Sequence, residues 1–123
     1  MVDLVIPVYK PKDEFAQLLY KIKKQTVPVH KIILMNTEKE YWDEFIGKHS
    51  EIETYDNLEI HHISREEFDH GNTRNKGISY SDAEYILLMT QDALPENEFL
   101  VEKLLQSFEN EGVALAYARQ LPR

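Results

Sequence analysis

The sequence contains no cysteine and little glycine. Among its 123 residues there are 4 Gly, 5 Pro and no Cys. Without cysteine, the chain cannot form disulfides, thiolate zinc sites or a cysteine nucleophile. The glycines, at positions 47, 71, 77 and 112, are too widely spaced for the G-x-G-x-x-G fingerprint or a P-loop. A dinucleotide-dependent dehydrogenase and a P-loop NTPase are therefore not expected.

Positive charge and long apolar runs are also scarce. Lys and Arg number 14 against 22 Asp and Glu, which gives a net charge of −8 at pH 7. Because sequence-independent nucleic-acid binding and polybasic membrane patches both need a dense basic face, we expect no nucleic-acid partner. The longest apolar run, residues 113–118, is far shorter than the ~20 residues that span a bilayer, and no signal-peptide core is visible. We therefore expect a single cytoplasmic domain over residues 1–123.

Strand-like apolar runs alternate with helical patterns along the chain. Several runs are continuous, which is typical of strands in a parallel sheet that is covered by helices on both faces. Between the first two runs, Phe15, Leu18, Leu19 and Ile22 recur at helical spacing. The pattern predicts an α/β fold, a doubly wound and mainly parallel sheet with helices on both faces. The predicted strands are residues 2–6, 31–35, 58–63, 85–89 and 113–118.

Two capping boxes predict where helices begin. Thr37-x-x-Glu40 and Ser64-x-x-Glu67 both match the pattern in which paired side chains satisfy the free amides of a first helical turn. The last predicted helix should end at Gly112, at a left-handed cap position.

A pair of histidines lies in the third predicted strand. Successive strand side chains point to opposite faces, so His61 and His62 cannot share one metal ion. We expect His62 to be packed and His61 to be exposed.

Polar segments come directly after the predicted strands. In doubly wound sheets, ligands bind outside the carboxyl ends of the strands where strand order reverses. Loop residues are often polar without having a function. The position of these segments at the carboxyl ends of the strands nevertheless favours a ligand-binding site. If a nucleotide diphosphate binds there without a glycine-lined loop, single basic residues and a cation must offset its charge. Asp92 is placed to hold Mg²⁺ or Mn²⁺, which prefer carboxylate and phosphate oxygens.

Three stretches together resemble family 2 glycosyltransferases, specifically the nucleotide-sugar-binding half of their Rossmann-like GT-A fold. Val5-Ile6-Pro7-Val8-Tyr9 ends the first strand, and Gly71 to Ile78 is similar to the Arg-Asn-x-Gly helix start of the family. Glu84 to Ala93 resembles the strand that leads into the Asp-x-Asp metal motif. The order and spacing of the three stretches match over nearly the whole chain.

The sequence departs from the family pattern at the two acidic positions. Thr90 stands in place of the first acid of Asp-x-Asp, and Asn36 stands where an acid usually follows the second strand, with Glu38 two positions later. Three segments look most like the rhamnosyltransferase branch, which implies a dTDP-linked deoxysugar donor: Phe68-Asp69-His70-Gly71, Thr90-Gln91-Asp92-Ala93 and Arg119-Gln120-Leu121-Pro122.

The resemblance implies a metal-assisted transfer of a sugar, rhamnose in this branch, from a nucleotide-diphosphate donor to an acceptor hydroxyl with inversion. The implied acceptor is a saccharide or lipid-linked saccharide of a cell-surface polysaccharide, and the enzyme would be cytoplasmic or peripheral at the inner membrane face. The acceptor-binding part and the catalytic base are expected downstream of residue 123, so the chain is interpreted as a truncated donor-binding fragment that is inactive alone. A homodimer is a further expectation, because a truncated sheet leaves an edge to pair.

The resemblance also implies roles for individual residues. The implied metal ligand is Asp92, and the implied nucleotide-binding residues are Pro7, Val8, Tyr9, Asn36, Glu38, Arg74 and Gln91.

Structural explanations stay open for each residue. Pro7 would simply end a strand, Asn36 would cap a helix, Arg74 would be a solvated helix residue, and Asp92 would be an ordinary turn residue. Two other functions also stay open: a non-catalytic nucleotide-binding or oligomerisation module, and a sugar-1-phosphate nucleotidyltransferase.

Overall fold

The computed structural model describes residues 1–93, 97–111 and 115–117, with side chains as far as residue 106. None of the helices in these ranges is both long and apolar enough to cross a membrane. The elements, in chain order, are β1 (Val2–Tyr9), α1 (Asp13–Lys23), β2 (Lys31–Thr37), α2 (Lys39–Lys48), a 3₁₀ helix (Ser50–Thr54), β3 (Leu58–Ile63), α3 (His70–Ser79), β4 (Tyr85–Leu88), α4 (Leu100–Glu111) and β5 (Leu115–Tyr117).

The strands form one parallel sheet in the order β3-β2-β1-β4-β5. β1 is central: its Val5 pairs with Ile33 of β2 on one side and with Leu88 of β4 on the other. Strand order reverses between β1 and β4, which opens a crevice at their carboxyl ends. The predicted doubly wound parallel sheet is confirmed. Gly112 and the segment 119–122 lie outside the described residues, as do the ends of the fifth predicted strand.

β1 continues past the proline that was expected to end it. Val5 accepts a hydrogen bond from the Met89 amide on the β4 side, at 3.1 Å, so alternate residues of β1 turn their backbone groups towards β4. Pro7 is the next such residue, and the β1–β4 pairing has already ended at Leu88. The missing amide of Pro7 therefore costs the sheet no hydrogen bond.

Helices cover both faces of the sheet, as predicted. One core cluster joins Leu4 and Leu34 of the sheet to Phe15 of α1 and Trp42 of α2. The other lies under α3 and includes the fully buried Val5, Ile33 and Met35. Burying each such side chain contributes roughly 1.5–3 kcal/mol to stability, so both faces help to hold the strand ends in place.

The helix start predicted from Thr37-x-x-Glu40 is wrong. Thr37 remains in β2, and α2 begins at Lys39 without a side-chain cap. The chain turns instead at Glu38, which has a φ of 69° in the left-handed region.

The second predicted capping box forms its hydrogen bonds but closes a turn. The Ser64 amide donates to Glu67 Oε1 at 3.2 Å, and the Glu67 amide donates to Ser64 Oγ at 3.3 Å. α3 begins later, at His70, where Asp69 caps it by accepting the Asn72 amide at 2.9 Å.

Candidate functional site

A hydrogen bond joins the carboxyl end of β1 to the segment after β4. The Tyr9 amide points towards β4 and donates to Gln91 Oε1 at 2.6 Å. Because Gln91 is the third residue beyond β4, this bond holds the two strand exits side by side. The structure thus brings together the two segments in which the sequence analysis placed the site.

A cavity of about 410 Å³ lies in this crevice, and we call it the crevice cavity. Of the eight residues given a role from the sequence, six line it, and Asn36 and Glu38 do not. The described residues that line it are Pro7, Val8, Tyr9, Phe68, His70, Arg74, Thr90, Gln91 and Asp92.

A second cavity of about 350 Å³ adjoins the first, and we call it the side cavity. Its lining is Tyr9, Thr37, Arg65, Phe68 and His70, of which Tyr9, Phe68 and His70 also line the crevice cavity. Thr37 is buried, and its Oγ1 has no hydrogen-bond partner among the described residues. No ligand-binding role was expected for Thr37, which was predicted only as a helix cap, or for Arg65 and Phe68. The turn that brings residues 65 and 68 here has no sequence signal beyond its capping-box pattern.

Tyr9 presents a partly exposed ring where the two cavities meet. Tyr41 of α2 packs edge-on against it, with ring centroids 5.7 Å apart. The Lys10 Nζ lies 5.2 Å from the Tyr9 centroid and 5.1 Å from the Tyr41 centroid, within the range of cation–π attraction. The orientation of the Tyr9 ring is therefore supported by groups outside both cavities.

Arg74 brings positive charge to the crevice cavity. It lies in the second turn of α3, although the motif resemblance placed it at the helix start. Its Nε is buried and has no hydrogen-bond partner among the described residues. A buried donor without a partner costs about 1–3 kcal/mol, so this guanidinium is well placed to receive an anionic ligand.

Asp92 and Thr90 supply oxygen atoms to the lining of the same cavity. Both residues are exposed, and Thr90 Oγ1 donates to Asp92 Oδ1 at 2.8 Å. Among the described residues there is no group of three or more His, Cys, Asp or Glu side chains that could hold a metal ion. Because Mg²⁺ and Mn²⁺ take mostly oxygen ligands and retain water, Asp92 fits a cation whose other ligands are phosphate oxygens and water.

Asn36 and Glu38 make contacts beneath the site instead of lining the crevice cavity. Asn36 is fully buried, and its Nδ2 donates to the Glu38 carbonyl at 3.2 Å and to His62 Nδ1 at 3.0 Å. Its Oδ1 has no partner among the described residues. Glu38 Oε1 accepts the Arg65 amide at 3.0 Å. Contacts of these two side chains with a base or ribose stay predictions.

The expected placement of the two histidines is wrong. His61 is half-buried, stacks on Tyr80 with ring centroids 3.7 Å apart, and pairs with Glu59 at 2.7 Å. His62 points to the other face of β3 and is exposed as a whole residue. Its Nδ1 edge faces buried Asn36, and desolvation there, followed by the nearby Lys39 charge, holds the His62 pKa below its usual value.

Comparison with known proteins gives matches over almost the whole chain. The family model described as glycosyl transferase family 2 matches residues 3–122. The O-antigen chain rhamnosyltransferase RfbN of Salmonella typhimurium is 30% identical over 122 residues, which is 98% of this chain and 37% of that protein. The O-antigen chain rhamnosyltransferase WbaN of Salmonella anatum is 31% identical over 97% of this chain and 36% of its own length.

Solved structures of S. aureus TarS share the fold. TarS 1–349 has a TM-score of 0.69 at 15% identity and matches 99% of this chain and 38% of its own. TarS 1–349 in complex with UDP-GlcNAc has a TM-score of 0.66, also at 15% identity, over 99% of this chain and 37% of its own. The chain thus spans little more than a third of the curated relatives described above and of these TarS chains.

Proposed function

The chain belongs to glycosyl transferase family 2, and we propose that it binds the nucleotide-diphosphate sugar donor of a glycosyltransferase in the crevice cavity. The observation that carries this proposal is the buried Arg74 Nε, which has no hydrogen-bond partner among the described residues. Arg74 lines the same cavity as Tyr9 and Asp92, at the position where strand order reverses.

The residues divide into a nucleoside end and a diphosphate end. The Tyr9 ring packs against the base, and the main chain of Pro7 and Val8 lies along the nucleoside. Arg74 donates two hydrogen bonds to the diphosphate, because a guanidinium can contact two oxygens at once. Gln91 keeps the β1 and β4 exits together through its bond to the Tyr9 amide, so both ends of the donor meet a preformed site.

Asp92 would hold a divalent metal ion together with the diphosphate oxygens. When bound, Mg²⁺ or Mn²⁺ supplies Lewis-acid stabilisation of the charge that develops on the departing diphosphate. Arg74, which also lines the crevice cavity, stabilises the same charge.

We propose that the whole enzyme transfers a sugar to an acceptor hydroxyl with inversion at the anomeric carbon. The names of its relatives point to rhamnose as that sugar. The acceptor is a saccharide or lipid-linked saccharide, and the enzyme works in the cytoplasm or at the inner face of the membrane. A general base removes the acceptor proton, typically contributing ~10²–10⁴ in rate. We propose that this base and the acceptor site belong to sequence downstream of residue 123, since the relatives are much longer than this chain.

Calorimetric titration of the Arg74→Ala variant tests the site. Because the guanidinium contacts phosphate, we expect the variant to bind dTDP and UDP about tenfold or more weakly, a cost of about 1.4 kcal/mol, while its weaker affinity for thymidine and uridine is unchanged. Lys76→Ala is the matched control, because Lys76 is exposed on the same helix and does not line the cavity. An equal loss for nucleotide and nucleoside would contradict the phosphate contact.

The same calorimetric titration tests whether Asp92 binds a divalent metal ion. One carboxylate gives weak affinity for free Mn²⁺, so we expect Mn²⁺ to bind much more tightly when dTDP or UDP is present. Asp92→Asn should remove most of that increase. Equal Mn²⁺ affinity with and without nucleotide would contradict the role of Asp92.

A second candidate function is a non-catalytic nucleotide-binding or oligomerisation module of the same fold. The Thr90–Asp92 hydrogen bond favours it, because a hydroxyl occupies an oxygen of the one carboxylate at the metal position. Failure of the unmodified chain to bind dTDP or UDP at about millimolar concentration, which corresponds to about −4.1 kcal/mol, would support the oligomerisation form of this alternative. Nucleotide binding that does not respond to Mn²⁺ would support its nucleotide-binding form.

A further inference from the structure

We infer that Glu38 is a positioning residue, which shapes the donor site through its contacts with two other segments and does not contact the nucleotide. This inference rests on the proposed function, since the site it shapes is the proposed donor site. Glu38 is the single residue between β2 and α2, and it does not line either the crevice cavity or the side cavity.

Glu38 has an unfavourable backbone conformation that its contacts hold in place. Its φ of 69° lies in the left-handed region, which residues with a Cβ seldom adopt. Its amide donates to the Ile63 carbonyl at 2.7 Å, and its carbonyl accepts from the Asn36 side chain at 3.2 Å. Such a conformation persists where surrounding contacts hold it in place, and it often occurs next to a functional site.

The side chain of Glu38 fixes the wall formed by residues 64–68. Its Oε1 accepts the Arg65 amide at 3.0 Å, which ties the end of β2 to the turn after β3. That turn carries Arg65 into the side cavity and Phe68 into both cavities. If this hydrogen bond is removed, the Ser64–Glu67 hydrogen bonds remain within the turn, but the turn loses this attachment to the end of β2.

The backbone of Glu38 also contacts α2, which supports the Tyr9 ring. Its carbonyl accepts the Tyr41 amide at 3.1 Å in the first turn of α2. Tyr41 is the ring that packs edge-on against Tyr9. One strained residue therefore connects the aromatic residue of β1 with the turn that faces it.

The test combines three substitutions of Glu38 with a matched control. Glu38→Ala removes the carboxylate, Glu38→Gln keeps an oxygen that can accept the Arg65 amide, and Glu38→Gly removes both the side chain and the backbone strain. Glu40→Ala is the control, because Glu40 is an exposed acid two residues away and its loss changes the net charge equally. Two quantities are measured: hydrogen exchange of the Arg65 amide without ligand, and affinity for dTDP and UDP.

We expect the hydrogen-exchange rate of the Arg65 amide to rise about tenfold in Glu38→Ala and Glu38→Gly. The loss of a hydrogen bond of about 1.4 kcal/mol makes local opening of the turn more frequent by that factor. Nucleotide affinity should fall about fivefold or more in the same two variants, and it should stay near the unmodified value in Glu38→Gln and Glu40→Ala. We expect Glu38→Gly to unfold at a higher temperature than Glu38→Ala while binding nucleotide equally poorly, because it relieves strain without restoring the tether.

Two results would overturn the inference. Unchanged Arg65 exchange in Glu38→Ala would show that the tether does not hold the turn. Faster exchange with unchanged nucleotide affinity would show that the turn does not shape the site. If the unmodified chain binds neither nucleotide, the proposed function fails, and the exchange comparison still decides whether Glu38 holds the turn.

Discussion

At the scale of single residues, the site depends on polar atoms that have no partner of their own. The Arg74 Nε and the Thr37 Oγ1 are buried without a hydrogen-bond partner among the described residues, and both residues line a cavity at the strand ends. Each such atom costs free energy in the folded protein unless a ligand or water satisfies it. Arg74 and Thr37, which carry these atoms, line neighbouring cavities that share Tyr9.

His62 gives a residue-scale prediction about pH. Its pKa is lowered in the folded protein, so between that value and its ordinary value of 6.5 the unfolded chain binds more protons. The free energy of unfolding should therefore fall as the pH is lowered through 6.5 towards the folded-state pKa, since protonated Nδ1 can no longer accept from Asn36.

Urea unfolding of the unmodified chain and of His62→Gln between about pH 8 and about pH 5 measures this effect. Glutamine does not titrate, and its oxygen can accept the Asn36 amide, so we expect a shallower loss of stability in the variant. Identical slopes in the two proteins would contradict the role assigned to His62.

The sequence predicted some residues of the site better than others, for physical reasons. Tyr9, Gln91 and Asp92 come at or just after strand ends, and parallel strands bring their carboxyl ends to one edge whatever the details of packing. Phe68 and Arg65 reach the site because the turn after β3 is attached to the end of β2, and the capping-box pattern at Ser64 does not indicate this attachment. The nucleotide contact of Glu38 is implied by the family resemblance and stays a prediction, whereas its contact with the Arg65 amide depends on a backbone conformation that few non-glycine residues adopt.

At the scale of elements, apolar periodicity was sufficient to predict the strands and their alternation with helices. The third predicted strand, residues 58–63, matches β3 throughout, because its two ends are set by turns on either side. β1 and β2 run further than predicted, to Tyr9 and Thr37, because the parallel pairing between these two strands continues as far as Tyr9 and Thr37.

Helix starts were harder to predict, because a capping box specifies local hydrogen bonds but does not determine whether a helix or a turn comes after them. The box at Ser64 forms and leads into a turn, and the box at Thr37 does not form because β2 continues through that residue. Tertiary pairing with β1 and β3 outweighs a local signal that contributes about 1 kcal/mol.

The packing of α3 on the sheet gives an element-scale prediction. A Cβ at Gly77 would lie 2.6 Å from Val5 Cγ1 and 3.1 Å from Met35 Cγ, so Gly77→Ala should destabilise the protein by about 1–3 kcal/mol. Gly47 is the matched control: it lies in α2 with no described atom within 4 Å of an added Cβ, so Gly47→Ala should stabilise by about 0.5–1 kcal/mol. Thermal or urea unfolding measures both, and a stabilising Gly77→Ala would contradict the close approach of α3.

At the scale of the whole molecule, the sheet and both core clusters are present in a chain that spans 37% of one curated relative and 36% of another. Among the described residues, those that border the crevice cavity, which is proposed to bind the donor, lie between positions 7 and 92. On the proposed function, binding of the donor is therefore separable from transfer of its sugar. The homodimer expected from the sequence stays a prediction, which the solution mass of the protein decides.

This separation predicts that the 123-residue chain binds donor nucleotide but transfers no sugar. Incubation with dTDP- and UDP-linked sugars, Mn²⁺ and simple saccharide acceptors should give no glycosylated product above background, because a general base typically contributes ~10²–10⁴ in rate and none is proposed within this chain. Slow release of free sugar from the donor is compatible with this prediction. Nucleotide binding in the same preparation shows that the protein is folded, and robust transfer to any acceptor would contradict the interpretation of the chain as a donor-binding part.

The position of β1 has a consequence for how the protein is made. Among the described strands, β1 is translated first, yet one of its two neighbours, β4, begins only at Tyr85. Until that stretch has left the ribosome, the central strand has an open side, and pairings this distant in sequence form slowly. The nascent chain therefore needs protection from aggregation during most of its synthesis, which protease resistance of ribosome-stalled chains ending before and well after β4 would reveal.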